Sequence, residues 1–146
     1  DSSEKALALA RLAAEANGVA GRCAFARADA FAELERLGAA GERFDLVAAD
    51  PPAFVRSKRE LKAGVKGYRK LARLAAAVVA PGGLLFVASC SHNVDAETFA
   101  REVATGLARA GRRGRILRAA GAGPDHPVHP FLAESAYLKT LLLHLD

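Results

Sequence analysis

The chain has 146 residues, 51% apolar and 25% charged, which excludes a disordered segment and allows one domain with a sizeable core. No apolar run approaches the ~20 residues a bilayer span needs, and the polar start lacks the basic n-region of a signal peptide. The formal charge of +5 favours an anionic partner without identifying one.

Helices and strands are predicted to alternate, as in βαβ units around a parallel sheet. Residues 3–17 are rich in alanine and leucine, with Gly18 as a stop and Asp1 and Glu4 at capping-box spacing, Asp1 being the N-cap. A short strand over 22–26 and a helix over 29–37 follow. The run from Phe44 to Ala49 reads as a strand covered on both faces. Pro51 and Pro52 end it, since neither can donate to a ladder. The basic, glycine-punctuated stretch 56–70 is expected to be a loop with a little helix. In a helix from Arg69 to Ala80, Leu71, Leu74, Ala75 and Val78 then form one apolar face. Pro81-Gly82-Gly83 turns into a strand over 84–88. Phe99, Val103, Leu107 and Ala110 mark another amphipathic helix. Strands over 115–119 and 136–145 are joined by a Gly/Pro/His-rich stretch.

Two strand tips carry the chemistry. Asp50-Pro51-Pro52-Ala53-Phe54 follows one strand and Ser89-Cys90-Ser91 the next, at the carboxyl ends where open α/β sheets bind ligands. An acid-diproline turn beside a thiol suggests covalent chemistry. From position alone, Cys90 as nucleophile and Cys90 as a small core residue are evenly matched. Cys23, inside an apolar run, is expected to be core. Two cysteines are too few for a disulfide framework and lack zinc spacing, so a reduced, cytoplasmic setting is expected. His126 and His129 share a loop with Asp125, but the spacing matches no zinc pattern and no metal is expected.

These motifs resemble a known family, the class I S-adenosylmethionine-dependent RNA methyltransferases, and most closely the bacterial 23S ribosomal RNA cytosine-5 enzymes. The resemblance rests on Asp1-Ser2-Ser3 opening a helix, Phe44-Asp45-Leu46-Val47 leading into Asp50-Pro51-Pro52-Ala53-Phe54, and Ser57-Lys58 through Gly67-Tyr68. It continues through Pro81-Gly82-Gly83-Leu84-Leu85, Ser89-Cys90-Ser91, Asp125-His126-Pro127 and Tyr137-Leu138-Lys139. It implies a Rossmann-like α/β fold: a mostly parallel sheet, helices on both faces and an antiparallel last strand. The family's N-terminal strands and glycine-rich cofactor loop are missing, so residues 1–146 are expected to be the C-terminal part of a longer catalytic domain.

The resemblance also implies roles. Cys90 would add to carbon 6 of a cytosine, making carbon 5 a nucleophile toward a sulfonium methyl group. A useful thiolate fraction requires nearby positive charge, for which Lys58 and Lys66 are candidates. Asp50 would hold the base, accepting from its exocyclic amine or protonating its ring nitrogen. Asp1 with Ser2 would meet the ribose hydroxyls of S-adenosylmethionine, Asp29 and Ala30 its adenine side, and Asp50 and Pro51 would border it as well. Pro52, Phe54, Lys58, Tyr68 and His126 are the expected RNA contacts, Phe54 by stacking or else as a loop plug. The basic stretch from Arg56 to Arg73 would meet phosphates, whereas Arg112, Arg113, Arg115 and Arg118 read as surface charge. RNA is the expected partner, with no membrane, and a homodimer is the other association considered. Two readings compete: a nitrogen-directed RNA or DNA methyltransferase using Asp50-Pro51-Pro52 with Cys90 incidental, and a non-catalytic RNA-binding module.

Overall fold

The central strand of the sheet carries the apolar run Leu84 to Ala88. In the computed structural model, which describes residues 1–146, β2 (Val79–Ser89) lies between β1 (Phe44–Ala49) and β4 (Lys139–Leu145), and β3 (Gly114–Ala120) is the outer strand beyond β4. β1 runs parallel to β2, while β4 is antiparallel to both its neighbours. Three strands therefore point one way and the last is reversed, as expected of the Rossmann-like α/β class.

Period-2 alternation decides which residues are buried. Leu85 and Val87 on β2 pair with Leu143 and Leu141 on β4 and with Val47 and Ala49 on β1, forming one sheet face. That face is covered by α3 (Leu61–Ala77) and α4 (Ala96–Arg109), which place Val65, Tyr68, Leu71, Ala72, Phe99 and Val103 in the same core. The α4 stripe is the predicted one, and Asp95 caps it by accepting from the Thr98 backbone N–H at 2.6 Å. This bond, then one from the Thr98 hydroxyl, holds the Asp95 carboxyl below its ordinary value.

Several expectations are corrected. Both-sided cover of β1 fails: Leu46 is 54% exposed, because β1 is an edge strand with helices on one face only. The predicted strand over 22–26 is absent. Ala20–Arg22 forms a 3-10 turn, and the next residues run beside the chain start without a ladder, with Ala28 N–H donating to the Asp1 carbonyl at 3.1 Å. A strand needs a ladder partner, and 22–26 has none. Cys23 is consequently exposed, not core. Ser3, not Asp1, caps α1 (Glu4–Ala16), accepting from Ala6 N–H at 3.3 Å. The helix after Asp29 is α2 (Ala30–Ala39), and the last strand begins at Lys139 rather than at Ala136.

The largest shift is in α3, which starts eight residues before the predicted Arg69. Gly64 and Gly67 read as breakers in the sequence but serve a close approach. A Cβ on Gly64 would strike the Phe54 carbonyl oxygen and lie 2.5 Å from Val55 Cγ2; one on Gly67 would lie 2.8 Å from the Phe54 ring. The acid-diproline loop thus seats directly on α3. Pro81-Gly82-Gly83 makes the predicted turn inside β2: Phe44 pairs with Val79 and Leu46 with Leu84, so Ala80–Gly83 bulges out of the ladder. No helix is long and apolar enough to cross a membrane.

Candidate active site

The tips of β1 and β2 bring the two motifs together. Cys90 is half-buried, and its thiol points toward the Pro51 carbonyl oxygen at 3.9 Å. Asp50, at the end of β1, is exposed. The thiol and the carboxylate therefore stand on adjoining loops at the carboxyl end of a parallel pair, the side where such sheets take ligands.

Ser91 organises the surroundings of the thiol. It is 1% exposed, and its hydroxyl accepts from the Val55 backbone N–H at 3.2 Å and shares a 2.7 Å hydrogen bond with the Tyr68 hydroxyl. Its carbonyl accepts from Lys139 Nζ at 2.6 Å, and that ammonium also donates to the Tyr137 carbonyl at 2.7 Å. One serine so joins the acid-diproline loop, α3 and β4 to the residue beside Cys90. No buried side-chain donor or acceptor is left without a partner. Such fully satisfied networks hold one geometry, because breaking any member strands a buried polar group.

Lys139 is the cation coupled to the thiol, in place of Lys58 or Lys66. Burial pushes its pKa below the ordinary lysine value, opposed by the negative charge of a Cys90 thiolate and of Asp95. Lys139 Nζ also fixes the backbone beside the thiol through the Ser91 and Tyr137 carbonyls. Lys139→Met is expected to change the rate of Cys90 alkylation by iodoacetamide several-fold, because it strands both carbonyls and loosens the Ser-Cys-Ser turn. Stopped-flow alkylation measures this, and identical rates for both proteins would show that Lys139 does not position the thiol.

Other expected site residues fall as follows. Tyr68 is 1% exposed and cannot stack on RNA, a correction with a simple cause: on α3 it shares the inward face with Val65, Leu71 and Ala72. Phe54 is half-buried, stacked on Phe31 at 5.9 Å between ring centroids and tilted against Tyr68 at 4.8 Å, which makes it a loop plug. It borders a shallow groove with Ala53, Arg56, Glu60, Ala63 and Gly64. Pro52 and Lys58 are exposed beside this groove and in the adjoining 3-10 turn Lys58–Glu60. His126 is exposed and meets the Tyr137 ring edge-on at 5.6 Å, while His92 packs on the same ring at 5.3 Å. The Asp125-His126-Pro127 loop and His92, which follows the Ser-Cys-Ser turn, thereby share the Tyr137 ring.

Asp1 and Asp29 come together at the far side of the acid-diproline loop. The Asp1 backbone nitrogen donates to the Ala26 carbonyl at 3.2 Å, and Phe31, the second residue of α2, reaches Phe54. Each carboxylate uses one oxygen locally: Asp1 accepts from Ser3 N–H at 2.7 Å and Asp29 from Ala32 N–H at 3.0 Å. Ser2 lies exposed beside Asp1. Two carboxylates plus the unpaired first N–H groups of α2, Ala30 among them, fit the diol and adenine of a nucleoside.

Sequence reasoning missed Ser91, Tyr137 and Lys139 as site residues, although each lies in a motif it singled out. Nothing local to Lys139 reveals that its ammonium reaches a carbonyl 48 positions away.

No protein-family model matches the chain. Among curated proteins it is 38% identical over 144 residues to "Ribosomal RNA large subunit methyltransferase I" of Aeromonas salmonicida, covering 98% of this chain and 36% of that protein. It is 40% identical over 120 residues to "Ribosomal RNA large subunit methyltransferase" of Deinococcus radiodurans, covering 82% and 29%. The chain thus spans about a third of the length of the curated relatives it matches. Its fold is that of a solved methyltransferase in complex with SAH (TM-score 0.74, 21% identity, 99% of this chain and 37% of the other). It also matches TrmN from Thermus thermophilus (TM-score 0.58, 26% identity, 99% and 34%).

Proposed function

The chain belongs to the class I S-adenosylmethionine-dependent RNA methyltransferase family, and from that premise we propose that it is the thiol-bearing part of an enzyme that makes 5-methylcytosine in 23S ribosomal RNA. The observation that carries this reading is a half-buried thiol held over the acid-diproline loop by a fully satisfied Ser91 network and coupled to Lys139. A nitrogen-directed reaction needs the acid-diproline turn but gives that network no task.

Cytosine carbon 5 is a poor nucleophile. Cys90 Sγ, as thiolate, forms a bond to carbon 6 and pushes electron density onto carbon 5. Asp50 holds the exocyclic amine or delivers a proton to the ring nitrogen as that bond forms. Asp1 with Ser2, and Asp29 with Ala30, would hold the nucleoside end of S-adenosylmethionine, with Pro51 bordering it. When bound, the cofactor would supply an electrophilic methyl group to carbon 5 and leave as the neutral thioether. Loss of the carbon 5 proton then reforms the ring double bond and expels the Cys90 thiolate. The half-buried setting of Cys90 limits water at the thiol without enclosing it.

The test is product analysis. The complete protein, incubated with radiolabelled S-adenosylmethionine and unmodified 23S ribosomal RNA, is expected to place label in 5-methylcytidine after nucleoside digestion. Label in an N-methylated nucleoside would assign the reaction to the amine instead.

A further inference from the structure

We infer that the outer surface of α3 and α4 forms a second RNA contact, a phosphate-binding cleft distinct from the thiol site. Lys66, Arg69, Lys70 and Arg73 follow i, i+3, i+4, i+7 on α3 and so form one stripe, about 10 Å long at 1.5 Å per residue. Arg109, in the last turn of α4, faces the stripe across a cleft of about 450 Å³ that has no apolar lining residue. The helices can approach this closely because α4 has glycine at the crossing: a Cβ on Gly106 would lie 2.6 Å from the Arg69 carbonyl oxygen.

The cleft is built, not a scatter of surface charge. Arg69 is clamped through Nε and Nη2, both 2.7 Å from Oε2 of Glu102, a nearly buried carboxylate. Glu35 of α2 takes Lys70 at 3.4 Å and Arg73 at 4.0 Å, and Lys70 also lies over the Phe31 ring at 4.9 Å. Five cations against two carboxylates leave an excess of three positive charges, with Lys66 and Arg109 engaged by neither.

Chemistry selects the ligand. A protein partner would require an apolar centre to its interface, which this cleft lacks. Concentrated arginine and lysine with no base-sized apolar shelf suits the phosphodiester backbone, which contributes affinity without sequence. The α3 stripe starts beside Tyr68, whose hydroxyl bonds Ser91 next to the thiol, and Arg109 closes α4 about 20 Å along that helix from its thiol-side end, so the cleft runs outward from the reacting end. The cleft would therefore grip RNA flanking the target nucleotide. This rests on RNA being the substrate, but its test does not require methyl transfer.

The experiment is fluorescence anisotropy of a labelled single-stranded RNA oligonucleotide with the complete protein over a salt series. Lys66→Gln, Lys70→Gln and Arg73→Gln are combined, sparing Arg69 because its loss would strand buried Glu102. The matched control combines Arg113→Gln, Arg115→Gln and Arg118→Gln, which changes net charge equally. The cleft variant is expected to bind at least ~10-fold more weakly, with the slope of log affinity against log salt shallower by about 2 to 3, while the control stays near the parent. Equal losses in the two variants would reduce the effect to net charge and overturn the cleft, as would an unchanged slope. If the parent binds RNA with the expected slope yet places no methyl group, the cleft stands and the methyltransferase reading falls.

Discussion

Cys90→Ala is expected to lower methyl transfer by about three orders of magnitude or more while leaving the fold intact, since an enzyme stripped of its nucleophile keeps only binding and positioning. The thiol contributes little to packing: it is half-buried, and its contact to the Pro51 carbonyl is a weak one at 3.9 Å. Cys90→Ser keeps the shape but offers a far less ionised group, and it is expected to be nearly as inactive. Filter-binding assays of labelled methyl incorporation, with circular dichroism to confirm folding, measure both variants. Near-parental rates for Cys90→Ala would assign the chemistry to Asp50-Pro51-Pro52 acting on an amine.

The second large effect is on stability and comes from Arg112, which the sequence presents as one of four surface arginines. Its guanidinium instead donates to the carbonyls of Ala76 at 3.0 Å, Val79 at 2.6 Å, Ala80 at 3.3 Å and Asp146 at 3.2 Å. Those carbonyls belong to the last turn of α3, the start of β2 and the chain end. A cation there offsets the negative end of the α3 dipole and satisfies orphan carbonyls in one stroke. Arg112→Ala is expected to cost about 3 kcal/mol, because charge-assisted bonds are lost and partly buried acceptors are stranded. Arg112→Lys recovers only part of this, as an ammonium cannot reproduce the fork. Urea unfolding at equilibrium reads both values. A loss below about 0.5 kcal/mol for the alanine variant would return Arg112 to the solvated surface class.

What the sequence made legible was whatever local pattern controls. The run from Phe44 to Ala49, the strand tip at Ser89-Cys90-Ser91 and the Phe99-Val103-Leu107 stripe each emerge as elements near the expected bounds. The candidate site followed, because strand tips in an α/β sheet lie together at one end. Failures occurred where long-range contacts decide. The 22–26 segment has strand character but no ladder partner. Gly64 and Gly67 look like loop residues until Phe54 is seen seated against them. Tyr68, read among cations as RNA-facing, shares helical phase with Val65, Ala72 and Ala75, a signal the sequence did contain. Lys139 and Arg112 are different: their acceptors are distant carbonyls, and no spacing in the chain encodes such a target.

The central claim is a covalent bond between Cys90 and a pyrimidine, and trapping that bond tests it most directly. RNA carrying 5-fluorocytidine at the target position cannot lose a proton from carbon 5, so the sulfur should stay attached after methyl transfer. Incubated with S-adenosylmethionine, the complete protein is expected to give a denaturant-resistant RNA adduct whose tryptic map places the linkage at Cys90, and none with Cys90→Ala. An active enzyme that forms no adduct, or forms one undiminished in Cys90→Ala, would contradict the account.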